Sequence, residues 1–111
     1  METNWTKAEF KAYLLAYCAQ SDFIETAEEK DFILHLVSSE AYKSVHLDLK
    51  RDNDYQSIQK IQYNIEKFNY TDNEIDTLLS DVKNLFLSDG NVDIMEENLF
   101  RALKKIVATR K

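Results

Sequence analysis

The chain contains no proline and a single glycine, Gly90. Proline interrupts helices, and glycine takes left-handed backbone angles at no steric cost, so we expect uninterrupted helices with the sharpest turn at Gly90. Active-site turns and phosphate-binding loops commonly need glycines, and the chain has no glycine-rich loop, nucleophile elbow or HExxH pattern. These absences argue against an enzyme.

Cysteine and long apolar runs are equally scarce. The single cysteine, Cys18, excludes an intramolecular disulfide and a multi-cysteine zinc site, and it fits a reducing compartment. No run of about eighteen apolar residues occurs, and the N-terminal sequence METNWTKAEF lacks the apolar core of a signal peptide. We therefore expect a soluble, cytoplasmic protein with no integral membrane segment.

Positive charge is in deficit. The formal net charge is −6, whereas affinity for nucleic acid comes mainly from clustered Lys and Arg. A nucleic-acid partner is therefore not expected, and the charge favours cations or basic surfaces, with a protein as the expected partner. A chain of 111 residues can bury a core without disulfides or metal, which predicts a single domain over residues 1–111.

The chain is rich in apolar residues at helical spacing, and capping residues precede several of these stretches. Threonine followed three residues later by glutamate is the capping-box pattern of a helix start, and it occurs at Thr6, Thr26 and Thr71. Ser38 or Ser39 can cap a further helix. No segment alternates like a strand, so the expected fold class is all-α, a compact bundle of about six helices, the first amphipathic with a wide apolar face. The expected helices span about 6–20, 26–37, 39–49, 58–69, 71–87 and 93–107.

A short internal repeat links the two predicted turns. When Asp22 is aligned with Asp89, the cap, glutamate and core positions also coincide, which indicates two similar helix-turn-helix units. Phe23 stands where the second unit has Gly90, so the first turn must follow a different backbone path. The matched pairs are Ser21 with Ser88, Thr26 with Asp93, Glu29 with Glu96, and Phe32 with Leu99.

The second turn carries part of a calcium-binding pattern. Asp89, Gly90 and Glu96 match the second half of an EF-hand loop. The first and third ligand positions fall on Leu85 and Leu87, which excludes a standard site. A looser divalent-cation site needs oxygens from both turns to converge; alternatively, the same acids only cap helices and complement the helix dipole. The candidate ligands are Asp22, Glu29, Asp89, Asp93 and Glu96.

The other chemistry-bearing residues favour structural roles. Cys18 lies on the apolar stripe of the first helix, and His35 and His46 lie within helices without a catalytic partner pattern. Trp5 precedes the first cap, where an apolar residue commonly packs back on the helix. We therefore assign no catalytic and no cofactor-binding residue.

A family resemblance is carried by two segments, YLLAYCAQSDFIETAEEKDFILHLV and LFLSDGNVDIMEENLFRALKKIV. Together they resemble the paired helical hairpins of the TerB-like family, named after a tellurite-resistance protein. The resemblance covers most of the chain and implies a compact all-helical bacterial domain linked to tellurite resistance and chemical stress. The metal site proposed for that family falls here on Asp22, Glu29, Asp89, Asp93 and Glu96. The chain departs from the family pattern at Phe23 and at Ile24-Glu25, where acid and aliphatic residue are inverted.

Two functions remain open at this point. The leading hypothesis is a non-enzymatic TerB-like domain that binds a divalent cation or a partner protein through its acidic inter-helix turns. The alternative is a structural protein–protein interaction module without a metal site, in which the basic sixth helix or exposed tyrosines make the contact. The last eleven residues, from Arg101, hold five basic residues and no acid. Such a segment either attracts an acidic partner or an anionic membrane surface, or complements a helix C-terminus.

The cation hypothesis is tested by titrating the metal-free protein with calcium, magnesium, manganese and zinc, followed by residue-resolved NMR. If the site forms, saturable shifts centre on Asp22, Asp89, Asp93 and Glu96, because their carboxylates bind the ion. Replacement of the two turn aspartates, Asp22→Asn and Asp89→Asn, should then remove the response. Flat or diffuse shifts would contradict the hypothesis and leave the acids as helix caps.

Overall fold

A computed structural model of the protein describes residues 3–19, 27–88, 98 and 101–105. One helix, α1 (Lys7–Ala19), lies at its centre. Around it lie α2 (Ala27–Leu36), α3 (Ser39–Arg51), α4 (Asp54–Lys67) and α5 (Asp72–Leu87), and residues 101–105 are also helical. All four of these helices contact α1, and α3 does so most extensively. The described residues include no strand, which confirms the all-α fold class.

From Ala12 to Ala16, α1 is enclosed on all sides. Five consecutive residues, Ala12 to Ala16, are buried, whereas an amphipathic helix exposes part of any such run. Ala12 and Ala16 lie opposite the apolar stripe that begins at Phe10, and both are 0% exposed. The prediction of an amphipathic first helix is therefore wrong. Alanine adds little to an apolar pattern, yet its small side chain lets neighbouring helices pack closely.

Local capping residues determine where the helices begin. The Thr6 amide donates to Glu9 Oε1 at 2.8 Å and the Glu9 amide donates to Thr6 Oγ1 at 3.1 Å, which confirms the first capping box. The box of Thr71 with Glu74 forms likewise, and Ser38 caps α3. Thr26 lies outside the described residues.

One helix start differs from the prediction. The amide of Asn53 donates to the Gln56 side chain at 2.9 Å, and the Gln56 amide donates to Asn53 Oδ1 at 2.8 Å. This is a complete capping box in asparagine and glutamine, so α4 begins at Asp54 and not near Ile58. The polar run from Lys50 to Asp54 thus ends one helix and starts the next.

A left-handed backbone angle occurs at the end of α4 without glycine. Asn69 has φ 50°, and asparagine is the residue other than glycine that most readily ends a helix in this way. The predicted sharp turn at Gly90 lies outside the described residues, as do both turns of the internal repeat. The repeat therefore remains a prediction.

The predicted apolar stripes form most of the remaining core. In α5 the buried residues are Ile75, Leu78, Val82, Leu85 and Phe86. In α4, Ile61 and Ile65 are buried together with two polar residues, Ser57 and Asn64. Leu103 is also buried, while Arg101, Lys104 and Lys105 are exposed, as expected for opposite faces of the sixth helix. None of the described helices combines the length and apolar character needed to cross a bilayer.

Candidate functional site

Four of the five predicted cation ligands, Asp22, Asp89, Asp93 and Glu96, lie outside the described residues. The fifth, Glu29, lies in the first turn of α2. This residue is 1% exposed, and it takes part in a polar interaction within the protein. Among the described residues, no group of three or more His, Cys, Asp or Glu side chains could hold a metal ion. The convergence of the two acidic turns therefore stays a prediction.

Cys18, His35 and His46, the other residues with reactive side chains named above, lie at positions that fit structural roles. Cys18 is buried in α1, which confirms the predicted buried thiol. His35 is exposed on α2, and its Nδ1 lies 2.8 Å from the carbonyl oxygen of Asp31 one turn earlier. His46 packs its ring against Tyr42 with centroids 5.4 Å apart. Both histidines take the packing or surface roles expected of them.

A buried polar cluster, the Tyr13 cluster, joins α1 to the junction of α3 and α4. It consists of Tyr13, Asp52, Ser57 and Lys60. The Tyr13 hydroxyl lies 2.6 Å from Asp52 Oδ2 and 2.8 Å from Ser57 Oγ, and Lys60 Nζ donates to the same Asp52 oxygen at 2.7 Å. The Trp5 ring covers Tyr13 with centroids 4.4 Å apart. The N-terminal segment, α1, α3 and α4 are thus tied together at one point.

The Tyr13 cluster is suited to holding helices and not to chemistry. Burial, together with the hydrogen bond to Asp52, raises the pKa of Tyr13 above its ordinary value of 10.0, so its phenol stays protonated even in alkaline solution. Tyr13 is 0% exposed, which keeps substrates away from its hydroxyl. Asp52 already accepts hydrogen bonds from both Tyr13 and Lys60. A partly buried ion pair of this kind stabilises mainly because removing one partner leaves the other charge uncompensated.

Two surface cavities have charged walls that are neutralised within the protein. The first, about 460 Å³, lies between α1 and α5, where Lys7 pairs with Glu74 and Lys11 pairs with Asp81. The second, about 380 Å³, is lined by Trp5 and by three charged residues that already have partners. Those three are Glu9, which accepts from Thr6 and Ser44, Asp48, which pairs with Arg51, and Lys60, which pairs with Asp52.

A third cavity, the α2–α3 groove, has a different character. It has a volume of about 360 Å³ and is lined by Lys30, Leu34, Ser39, Tyr42, Lys43, His46 and Leu47. Leu34 is half-buried and Tyr42 is buried, so they form an apolar floor. Leu47 at the edge is 68% exposed. None of the described residues that line this groove is acidic, although acids outnumber bases in the chain by 20 to 14.

The groove is built by helical spacing on two neighbouring helices. Lys30 and Leu34 lie one turn apart on α2, and Ser39, Lys43 and Leu47 follow at the same interval on α3. The Tyr42 ring between them packs against His46 and lies 5.9 Å from Lys30 Nζ. The arrangement offers an aromatic and aliphatic floor under a positively charged rim.

The α2–α3 groove was not predicted from the sequence. The apolar residues at helical spacing in the predicted third helix are Tyr42, Val45 and Leu49, and all three are buried. Leu47 falls outside that stripe, which is the one signal that could have drawn attention to it. Of the six tyrosines, all of them described, only Tyr55 is classed as exposed, so tyrosines do not form an exposed group.

Comparison of the chain with protein-family models, with curated proteins and with solved structures gave no significant match. The TerB-like resemblance and the tellurite and stress links that it implies therefore remain predictions from the sequence.

The role of the Tyr13 cluster is tested by Tyr13→Phe. Loss of buried hydrogen bonds to a carboxylate and a hydroxyl should lower the free energy of unfolding at pH 7 by about 1–3 kcal/mol, measured by urea denaturation. The matched control is Tyr55→Phe. Its hydroxyl accepts a hydrogen bond from Gln59 on an exposed ring, and the change should stay within about 0.5 kcal/mol.

Comparison of Tyr13→Phe with wild type also tests a pH dependence of stability. The pKa of Tyr13 is raised in the folded protein from its ordinary value of 10.0, so above pH 10 the unfolded chain binds fewer protons than the folded one. The stability that the protonated phenol contributes is therefore lost as the pH rises above that value. Tyr13→Phe removes this loss, so the stability gap between wild type and variant should narrow between pH 9 and about pH 11. A constant or widening gap would contradict this account.

Proposed function

We propose that this protein is a non-enzymatic protein-binding domain whose recognition surface is the α2–α3 groove. The observation that carries the proposal is Leu47, which is 68% exposed at the edge of a concave surface with an apolar floor. A single exposed leucine is ordinary in a folded protein. An exposed leucine continuous with a groove between two helices is the arrangement that binds an apolar side chain of a partner.

Energetics support a partner at this groove. Full burial of a leucine side chain contributes about 1.5–3 kcal/mol, and Leu47 is 68% exposed, so covering it is worth roughly one order of magnitude in affinity. The floor residues Leu34 and Tyr42 are held by the helices that carry them, so their positions need little reordering on binding. The other two cavities lack such an exposed apolar edge, since their walls carry charges that pair within the protein.

The proposal develops the interaction-module alternative and moves its contact surface. That alternative placed the contact on the sixth helix or on exposed tyrosines, whereas the groove lies between α2 and α3. The cation site at the acidic turns rests on the sequence pattern and the family resemblance, and the metal titration tests it separately.

If the groove is the binding surface, Leu47→Ser should weaken partner binding at least about tenfold without affecting the fold. Affinity capture from the cells that produce the protein should recover a partner with wild type and at least about tenfold less of it with the variant, because the buried leucine contact is lost. The recovered partner is then purified and its Kd measured against each form of the domain.

Tyr55→Ser is the matched control, since Tyr55 has the same 68% exposure but lies on α4 outside the groove. It should leave recovery and Kd unchanged, and both variants should unfold within about 0.5 kcal/mol of wild type. Equal recovery with wild type and Leu47→Ser would contradict the proposal, as would an equal loss with both variants.

A further inference from the structure

The charges that the described residues bring to the α2–α3 groove have one sign. Lys30 on α2 and Lys43 on α3 stand on the two walls, and His46 adds a third nitrogen base beside the floor. None of the described lining residues is acidic, in a chain whose net charge is −6. The sign of the local charge is thus opposite to that of the whole protein. Such a local reversal selects a negatively charged partner and gives specificity more than raw affinity.

The shape of the groove selects a helix. From Ser39 to Leu47 the α3 wall extends over nine residues, a rise of about 12 Å, which matches a partner helix of two to three turns. A peptide that binds as an added strand needs a sheet edge, and the described part of the chain contains no strand. Two helical walls with an apolar floor instead fit the apolar stripe of an amphipathic helix.

Charge argues against two other occupants. The final segment of this chain, residues 101–111, holds five basic residues and no acid, so it has the same sign as the groove. In a symmetric dimer formed through this groove, Lys30 and Lys43 of the two copies would face one another, and like charges repel. A different protein that presents an acidic helix instead places negative charge against Lys30 and Lys43.

We propose that the α2–α3 groove binds an acidic amphipathic helix of a partner protein. The apolar stripe of that helix covers Leu47 and the floor, and its flanking carboxylates face Lys30 and Lys43. This inference rests on the proposed function and adds the chemical class of the partner to it.

Three synthetic helical peptides of equal length test the inference. They share one leucine stripe at helical spacing and carry Glu, Gln or Lys at all flanking positions, and a hydrocarbon staple gives them equal helicity. Binding is measured by fluorescence polarisation, and its location by NMR shifts of Leu34, Tyr42 and Leu47. Because each exposed ion pair contributes less than about a factor of ten, we expect the Glu peptide to bind about three- to thirtyfold more tightly than the Lys peptide.

A double charge reversal provides the decisive comparison. Lys30→Glu with Lys43→Glu should invert the order of the Glu and Lys peptides. The control, Lys83→Glu with Arg101→Glu, makes the same change in net charge at exposed residues that do not line the groove, and it should preserve the order. Inversion by both double variants would overturn the inference, because the preference would then follow net charge and not the groove.

The remaining outcomes separate this inference from the proposed function. Two outcomes overturn the acidic-helix inference but leave the proposed function intact. In the first, all three peptides bind equally at the groove; in the second, none of them binds, while Leu47→Ser still loses the captured partner. A concentration-dependent dimer that Leu47→Ser abolishes assigns the groove to a second copy and also overturns it. If Leu47→Ser leaves capture of the partner unchanged, the proposed function itself fails.

Discussion

The fold depends on burying one helix on all sides. Residues Ala12 to Ala16 of α1 are enclosed by the surrounding helices, and a fully enclosed helix fixes the distance and direction of each neighbour. The alanines at positions 12 and 16 make this possible, because a larger side chain would hold the neighbouring helices apart. Every other helix then needs only one apolar face, which the stripes of α3, α4 and α5 provide.

Polar contacts refine this arrangement at its edges. The Tyr13 cluster ties α1 to the α3–α4 junction, and Glu9 accepts a hydrogen bond from Ser44 of α3. Hydrogen bonds from the Thr6 amide and from Ser44 lower the pKa of Glu9, so that carboxylate is ionised when it holds α3 against α1. With α3 fixed in this way, α2 packs beside it and leaves the groove open at Leu47. The same contacts that stabilise the bundle thus position its proposed binding surface.

Local features were predictable from the sequence and tertiary ones were not. Helix starts at Thr6 and Thr71 depend on a side chain three residues away, so the pattern alone revealed them. The start at Asn53 uses the same geometry with less familiar residue types. The enclosure of α1 depends on which helices surround it, and the groove depends on how α2 and α3 pair. The acidic turns pose the same difficulty, because convergence of their carboxylates is a property of the folded chain.

The measurement that tests this account most directly is the unfolding free energy of two alanine variants on α1. Ala16→Gln places a longer, polar side chain where the structure has 0% exposure, and it should cost about 2–4 kcal/mol. Ala8→Gln makes the identical change at an exposed position of the same helix and should stay within about 0.5 kcal/mol of wild type. A small, equal effect of both substitutions would show that this side of α1 faces solvent and would contradict a fully enclosed central helix.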